Sequence, residues 1–407
     1  MSLALQNMQP PLPSFFTRYI KSEPLQNVVY FKKHNLQKDK LESLRNDLES
    51  SLFEQGFIIN EKDIRSIQIV AKTKLLKENP NNILRLIKIA RKYSINGNKI
   101  NPSKIKLEIR QVESESENEL LFRWWNNVWW SMPYQRPYGR QMRFIIWDIE
   151  HNAPFGLISL QSPILKQAVR DKYLKIPKKD LDYWVNRSMY AQRVGALPPY
   201  NYLIGGKMVA LSLVSNEIKN AYYEKYEGKS TIMSNRMIEP ELLFITTTSA
   251  FGKSSLYNKI IYNNVEIAER LGSTEGYGSF QISNELYNRL IEYLDDIGEN
   301  TIRGYGGGPS KKLKLIGLAC KKLGLANYAY HGIKRDYFLF SFVKNLKQVI
   351  SGEEQAVDNN YSFQELFEYW KERWMKKRVL STTQWYDFNM DTYINNVIHS
   401  LKEGFYE

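Results

Sequence analysis

Twice between residues 189 and 271 an apolar run ends in glycine and lysine and then gives way to a helical pattern. This repeated junction restricts the fold more than any other feature of the sequence. The first apolar run, Met189 to Leu197, closes on Pro198-Pro199-Tyr200-Asn201 and continues as Tyr202-Leu203-Ile204-Gly205-Gly206-Lys207. A long helix is expected from there to about Lys225. The second run, Leu242-Leu243-Phe244-Ile245, leads into Thr246-Thr247-Thr248-Ser249-Ala250-Phe251-Gly252-Lys253-Ser254-Ser255-Leu256-Tyr257-Asn258, with a further helix expected to about Leu271. A strand that enters hydroxyls, glycine and lysine just before a helix is suited to an anion: the helix start offers unpaired N–H groups and the lysine adds charge. Gly205 and Gly206 let the backbone approach a ligand or a neighbouring strand. Gly252-Lys253-Ser254 resembles the end of a phosphate loop, but that pattern needs glycine at 247, where this chain has Thr247. A nucleotide hydrolase is therefore not indicated.

The flanking segments extend the strand–helix order into an α+β class with a mixed central sheet. Phe144 to Asp148 and Phe155 to Leu160, joined across Asn152-Ala153-Pro154, predict an antiparallel hairpin. Alternation at Ile105, Leu107 and Ile109 predicts a strand before it. Trp124, Trp125, Trp129 and Trp130 lie in a helical stretch and suit a helix wedged between two layers; a stacking surface for bases is the functional alternative. Leu41, Leu44, Leu48 and Leu52 recur at helical spacing, with two more helical patterns at Ile64–Leu76 and Ile83–Ile89. We expect a loose arm over 1–37, a helical region over 38–100, a central α+β domain over 101–350 and a basic helical region over 351–407, with 351–360 as a linker. Glycine-rich loops are expected at 272–280 and 304–312, helices at 284–296 and 313–323, and a strand at 338–342.

The charge balance points to an acidic partner. The 407 residues carry a formal charge of +14 at neutral pH and 13% aromatic side chains, a combination suited to nucleic acid, DNA first. No run of eighteen apolar residues occurs, so no membrane span is expected. The first 21 residues lack the pattern of a secretory leader, and one cysteine, Cys320, cannot form an internal disulfide; both fit the cytoplasm.

Candidate chemistry gathers at the junctions. Arg140, Arg143, Arg170, Arg187, Lys207, Lys253, Lys311, Lys312 and Arg335 are the basic residues there, with Lys371, Arg373, Lys376, Lys377 and Arg378 extending them along the tail. With Asn201, Gly205, Gly206, Thr248, Ser249, Ser254, Ser255 and Asn258 they make the expected phosphate-binding set. Solvated charge and helix capping are the plainer explanations of the same residues. Asp148 and Glu150, two apart at a strand end, are expected to share one side and, with Asp171 or Glu275, to make a metal edge for nuclease chemistry; turn carboxylates offsetting nearby arginines are the plainer explanation. His331 is a candidate acid, base or phosphate ligand, and Tyr257 and Ser255 are candidate nucleophiles where a base lies near. The four histidines have no ligand spacing, so no zinc site is read, and no cofactor is assigned.

Several of these segments form an ordered set: Gly139-Arg140-Gln141-Met142-Arg143, Arg170-Asp171, Pro198-Pro199-Tyr200-Asn201 with Gly205-Gly206-Lys207, Thr246 to Asn258, Gly306-Gly307-Gly308-Pro309, and His331-Gly332 with Arg335. Over about residues 120 to 378 the set resembles the DruA proteins of the Druantia anti-phage system. The resemblance implies defence against phage, in the cytoplasm, beside other defence proteins, and carries no settled chemistry. The strand–loop–helix–strand–helix order of 189–271 is also similar to the cofactor-binding half of Gcn5-related acetyltransferases. There, a loop opening the helix after the fourth strand holds the pyrophosphate of coenzyme A. The spelling [QR]-x-x-G-x-[GA] is absent at that loop, and Gln192-Arg193-Val194-Gly195-Ala196 lies too early. The expected function is a defence component that binds, and processes, nucleic acid at a basic cleft. An acyltransferase-like enzyme and a non-catalytic adaptor are the alternatives.

Overall fold

A computed structural model describes residues 35–54, 72–73, 76–77, 80–129, 137–231, 235–276, 282–301, 311–325 and 334–402. The chain divides into two units, Met1–Asn46 and Asp47–Glu407. Helix α1 (Asn35–Glu54) spans that division. Leu44, Leu48 and Leu52 are buried on it, as the leucine spacing predicts, while Leu41 is exposed. The helical pattern over Ile64–Leu76 falls almost wholly outside the described residues.

The larger unit is built on a seven-stranded sheet ordered β1-β2-β3-β4-β5-β9-β8. After two short helices, Pro80–Leu84 and α2 (Ile87–Lys92), β1 (Leu107–Gln111) forms one edge. Ser116 caps α3 (Glu117–Val128) by accepting from Glu119 N at 3.1 Å. Strands β2 (Gln141–Asp148) and β3 (Ala153–Gln161) form the expected antiparallel hairpin. Helices α4 (Ala168–Tyr173) and α5 (Leu181–Asn186) lead into β4 (Ser188–Ala196). The one long helix expected after Gly205 is two, α6 (Gly205–Leu211) and α7 (Asn216–Tyr226), separated by a 3-10 turn at Ser212–Val214. They carry the chain across to β5 (Phe244–Thr248), which lies parallel to β4; every other strand pair of the sheet is antiparallel.

The helix expected from Tyr257 toward Leu271 does not form. Asn263 and Asn264 both take positive φ, which makes a tight hairpin turn between β6 (Ile261–Tyr262) and β7 (Val265–Glu266). The chain then enters β8 (Glu269–Ser273). Helices α8 (Asn284–Asp296) and α9 (Lys311–Lys322) follow, and β9 (Asp336–Ser341) inserts between β5 and β8. The remaining helices are α10 (Leu346–Ser351), α11 (Phe363–Trp370), a π-helical turn at Lys371–Met375, α12 (Lys376–Ser381), a short turn at Gln384–Asp387 and α13 (Met390–Lys402).

One face of the sheet is covered by α6, α7 and α11. Phe144, Ile146, Phe155, Ile158, Val194, Ile245, Phe338 and Phe340 meet Met208, Leu211, Ile218, Leu366, Phe367 and Trp370 there. The opposite face carries two separate apolar patches. Ile145, Trp147 and Leu157 pack with Trp124 and Trp125 of α3 and with Ile394 of α13, so the tryptophan helix is wedged between layers. Phe244 and Leu339 pack with Leu174, Leu346 and Ile350.

Candidate functional site

Between those two apolar patches the face is polar. Strand alternation and register bring Ser159 and Gln161 of β3, Tyr190 and Arg193 of β4, Thr246 and Thr248 of β5, and Tyr337 of β9 into one band. Gln161 stands opposite Tyr190, Tyr190 beside Thr246, and Thr248 opposite Tyr337. Tyr190 Oη and Thr248 Oγ1 are 2.8 Å apart, and Tyr337 Oη donates to Thr246 Oγ1 at 3.0 Å. Thr246 and Tyr337 form a buried floor, whereas Tyr190, Thr248 and Arg335 are half-buried. Burial raises the Tyr337 phenol above the usual tyrosine range.

Two arginines bring charge to this band: the buried Arg193, whose Nε donates to Asn126 Oδ1 at 3.0 Å, and Arg335, just before β9. Burial lowers the pKa of Arg335, and the Tyr190 oxygen acts on it in the opposite sense. Its guanidinium has no hydrogen bond or ion pair among the described residues, and Nε is shut off from water without a partner. The adjacent Asp336, and Asp171, which acts electrostatically on Tyr337, are already engaged. Asp336 accepts from Arg270 Nε at 2.9 Å and from Ser273 Oγ at 3.1 Å, and Asp171 accepts from Arg170 Nε at 2.7 Å. Gln161 Oε1 is also buried without a partner. Polar groups withdrawn from water cost free energy unless paired. A row of them at the centre of a sheet is thus a candidate site on physical grounds.

The loop after β5 reaches a second surface on the other face. Ser249 N donates to Asp336 O at 2.9 Å and its hydroxyl accepts from Asp336 N at 3.0 Å, which pins the loop to β9. Further on, Lys207 Nζ donates to the carbonyls of Ser255 at 3.3 Å, Leu256 at 3.4 Å and Asn258 at 2.6 Å. Its ammonium also sits 5.5 Å from the Trp374 ring centre, and burial lowers its pKa. Tyr369 donates to Ile261 O, and Arg378 Nε donates to Tyr202 O at 3.0 Å. Residues 201–207, 253–261 and 369–378 are thereby tied into one surface. Asn201, Lys253, Ser255, Asn258, Lys259, Arg373 and Lys377 are exposed there. Lys253, Lys259, Arg373 and Lys377 have no ion pair among the described residues.

The sequence model described as Druantia protein DruA matches residues 59–352. The Druantia protein DruA of Escherichia coli (strain UMEA 4076-1) is 31% identical over 299 residues, covering 72% of this chain and 74% of that protein. The chain belongs to the DruA family. No solved structure matches. The DruA match includes all seven strands of the sheet and the whole polar band, and it ends before Arg373 and Lys377.

Several expected site residues of this DruA-family chain are engaged in building the fold. Arg170 is fully buried; its fork is taken by Asp171, Ile164 O at 2.9 Å and Leu165 O at 2.7 Å, which leaves little for a phosphate. Arg140 donates to Ser188 O at 3.1 Å and to Asn186 O and the Tyr222 hydroxyl. Arg187, also buried, pairs with Glu241. Arg143 pairs with Glu119 at 3.1 Å and lines a polar cleft of about 400 Å³ with Gln111, Gln141 and Lys225. Tyr257 is buried against Phe338 and Phe340 and bonded to Thr247, and burial raises its pKa, the reverse of an activated nucleophile. Gly205 and Gly206 serve close packing: an added Cβ at Gly205 would stand 2.7 Å from Tyr200 O, and one at Gly206 2.7 Å from Leu256 Cδ1. Lys311 is exposed at the start of α9, and Ser254 turns its own loop by accepting from Leu256 N at 3.2 Å.

Asp148 and Glu150 do not share a side. Asp148 closes β2 and is fully buried, whereas Glu150 lies exposed in the turn beyond. Asp148 accepts from Tyr200 Oη at 2.9 Å and from Lys106 N at 3.3 Å, and His151 Nδ1 lies 2.6 Å away. His151 Nε2 accepts from Asn101 N at 2.9 Å, so this group braces the hairpin against its neighbours. Among the described residues no three His, Cys, Asp or Glu side chains are placed to hold a metal ion. His331 and the glycines at 306–308 lie outside the described residues. Sequence reasoning passed over Tyr190, Gln161 and Lys259. The signal for the first was present: Tyr190 interrupts the apolar run from Met189 at a position that strand alternation puts opposite its apolar neighbours.

Proposed function

We propose that this DruA-family chain is an anti-phage defence component that binds nucleic acid, DNA first, across the surface formed by residues 201–207, 253–261 and 369–378. The carrying observation is the set of exposed cations there, Lys253, Lys259, Arg373 and Lys377, none with an ion pair among the described residues. They stand beside Asn201, Ser255 and Asn258, whose short polar side chains suit phosphate oxygens. The formal charge of +14 supplies the long-range attraction. Duplex and single-stranded DNA, titrated with the protein over a salt series, test the reading. Affinity is expected to fall steeply with salt, the logarithmic slope growing by ~0.9 per phosphate neutralised on duplex. Reversing Lys253, Lys259, Arg373 and Lys377 to glutamate is expected to weaken binding and flatten that slope. Unchanged affinity in the reversed variant would sink this surface as the interface.

A second reading is favoured by one topological observation. Strands β4 and β5 are parallel and joined through α6 and α7, and they pair only from Ser188↔Phe244 to Tyr190↔Thr246 before β4, still paired with β3, runs on to Ala196 without β5. Parallel strands that part in this way open a crevice at their carboxyl ends. This supports an acetyltransferase-like reading of the sheet and, with it, an enzyme that binds coenzyme A. Against such a ligand, the start of α6 is packed by Tyr200 and Leu256 and crossed by the loop that Lys207 holds. Calorimetry with acetyl-coenzyme A separates the readings, and absence of heat at millimolar ligand removes the enzyme. Work in the cytoplasm beside other Druantia proteins, including a purely adaptor role, belongs to the same proposal and is addressed by affinity capture with the other proteins of the system present.

A further inference from the structure

The polar band and the basic surface lie on opposite faces of the sheet, so the band calls for its own account. We propose that Arg335, Tyr190 and Thr248, over the floor made by Tyr337, form a binding site for a terminal phosphate group. This inference does not rest on the DNA surface.

The Arg335 guanidinium, largely withdrawn from water, with no carboxylate and no carbonyl on its fork among the described residues, is a cation suited to an anion. Asp336, next in sequence, pairs with Arg270, and Asp171, which acts electrostatically on Tyr337, pairs with Arg170, so neither of these two described carboxylates is left to serve Arg335. Hydroxyls fix the class of anion. A carboxylate uses two oxygens and is satisfied by the guanidinium fork alone. Here the Tyr190 and Thr248 hydroxyls are 2.8 Å apart, Tyr190 acts electrostatically on the cation, and Thr248 stands opposite Tyr337, two residues along the strand from Arg335. Only one of the two is consumed in the bond between them, which leaves a donor for a third oxygen. Three oxygens presented from one side describe a phosphate monoester, whereas a diester within a strand presents two. Gln161, with its amide oxygen unpartnered, and Tyr138, 48% exposed and coupled electrostatically to Tyr190, supply an amide and a ring for a group attached to that phosphate. A nucleoside monophosphate and the 5′-phosphorylated end of a strand share this chemistry.

The test is calorimetric titration of the full-length protein, carrying the four charge reversals on the opposite face so that the DNA surface does not contribute, with inorganic phosphate, adenosine monophosphate, and one oligonucleotide carrying either a 5′-phosphate or a 5′-hydroxyl. Binding of the phosphorylated ligands in preference to the 5′-hydroxyl strand is expected. Heat from adenosine monophosphate identifies a free nucleotide as sufficient; heat from the phosphorylated strand alone identifies a strand end. Arg335→Gln is expected to weaken binding by about tenfold or more and Tyr190→Phe by several-fold, in line with loss of a charged and a neutral hydrogen bond. The lysine and arginine reversals on the opposite face are expected to leave phosphate binding unchanged. Should Arg335→Gln fail to fold, Tyr190→Phe and Thr248→Val, which keep shape and charge, decide the matter. Absence of heat from every phosphorylated ligand at millimolar concentration overturns the proposal. So does undiminished binding by the variants, or equal binding of the 5′-hydroxyl strand.

Discussion

Arginines in this chain divide by environment, and the division explains which of them hold the fold. Arg170 is buried with Asp171 and two carbonyls on its fork, so removing it strands those acceptors. Arg170→Ala is expected to cost about 3 kcal/mol, read from denaturant midpoints, because breaking a buried pair leaves its partner uncompensated. Tyr257→Phe deletes a single hydrogen bond to Thr247 and leaves the ring stack intact; it is expected to cost about 1 kcal/mol and to leave any DNA binding untouched. A larger loss of binding than of stability in that variant would return Tyr257 to the functional set. None of this separation is written in residue type. Arg170 and Arg335 look alike in sequence, each in a polar stretch beside an aspartate. What distinguishes them is the carbonyls of Ile164 and Leu165, which curl back onto the first and have no counterpart at the second among the described residues.

At the scale of elements, strong patterns were legible and local backbone chemistry was not. The β2–β3 hairpin, the wedged tryptophan helix and α8 follow from alternation, apolar spacing and capping. The stretch after Asn258 misleads because its apolar residues fit a helix, while Asn263 and Asn264 adopt left-handed φ and turn the chain instead. Two adjacent asparagines between short apolar pairs are a hairpin signal in their own right. The tail shows a different limit. Its basic residues suggest a separate region, yet Leu366, Phe367 and Trp370 of α11 belong to the main core, in line with a capping box at Ser362 and Glu365 that starts the helix there. Trp370, fully buried, donates to Ile204 O at 3.0 Å. Trp370→Ala is expected to cost 3–5 kcal/mol (about the value for a large core ring), measured by chemical denaturation. A loss below about 1 kcal/mol would mean that α11 does not close the core.

For the molecule as a whole, buried phenols set an alkaline limit. Burial raises Tyr226 to about 12, and the thiol of Cys320 is likewise pushed up to about 12. Tyr200, Tyr257 and Tyr337 move in the same direction. In the unfolded chain these groups ionise near 10 for tyrosine and 9 for cysteine, so above those values the unfolded state holds fewer protons. Their stabilising contribution is complete below pH 9 and is lost as pH rises through about 12. The melting temperature is expected to fall from about pH 10 upward, together with a cooperative rise in phenolate absorbance. Phenolate appearing gradually, without loss of structure, would contradict the burial.

Strand β9 has a consequence for how the chain is made. It fills the place between β5 and β8, and α11 covers the sheet behind it, so the centre of the architecture is encoded near its end. While the ribosome is still translating the middle of the message, β5 has emerged with one edge unpaired, and Trp370 is missing from its place against Phe155. Nascent chains halted before residue 336 are therefore expected to be held by chaperones, and those halted beyond residue 370 to be released.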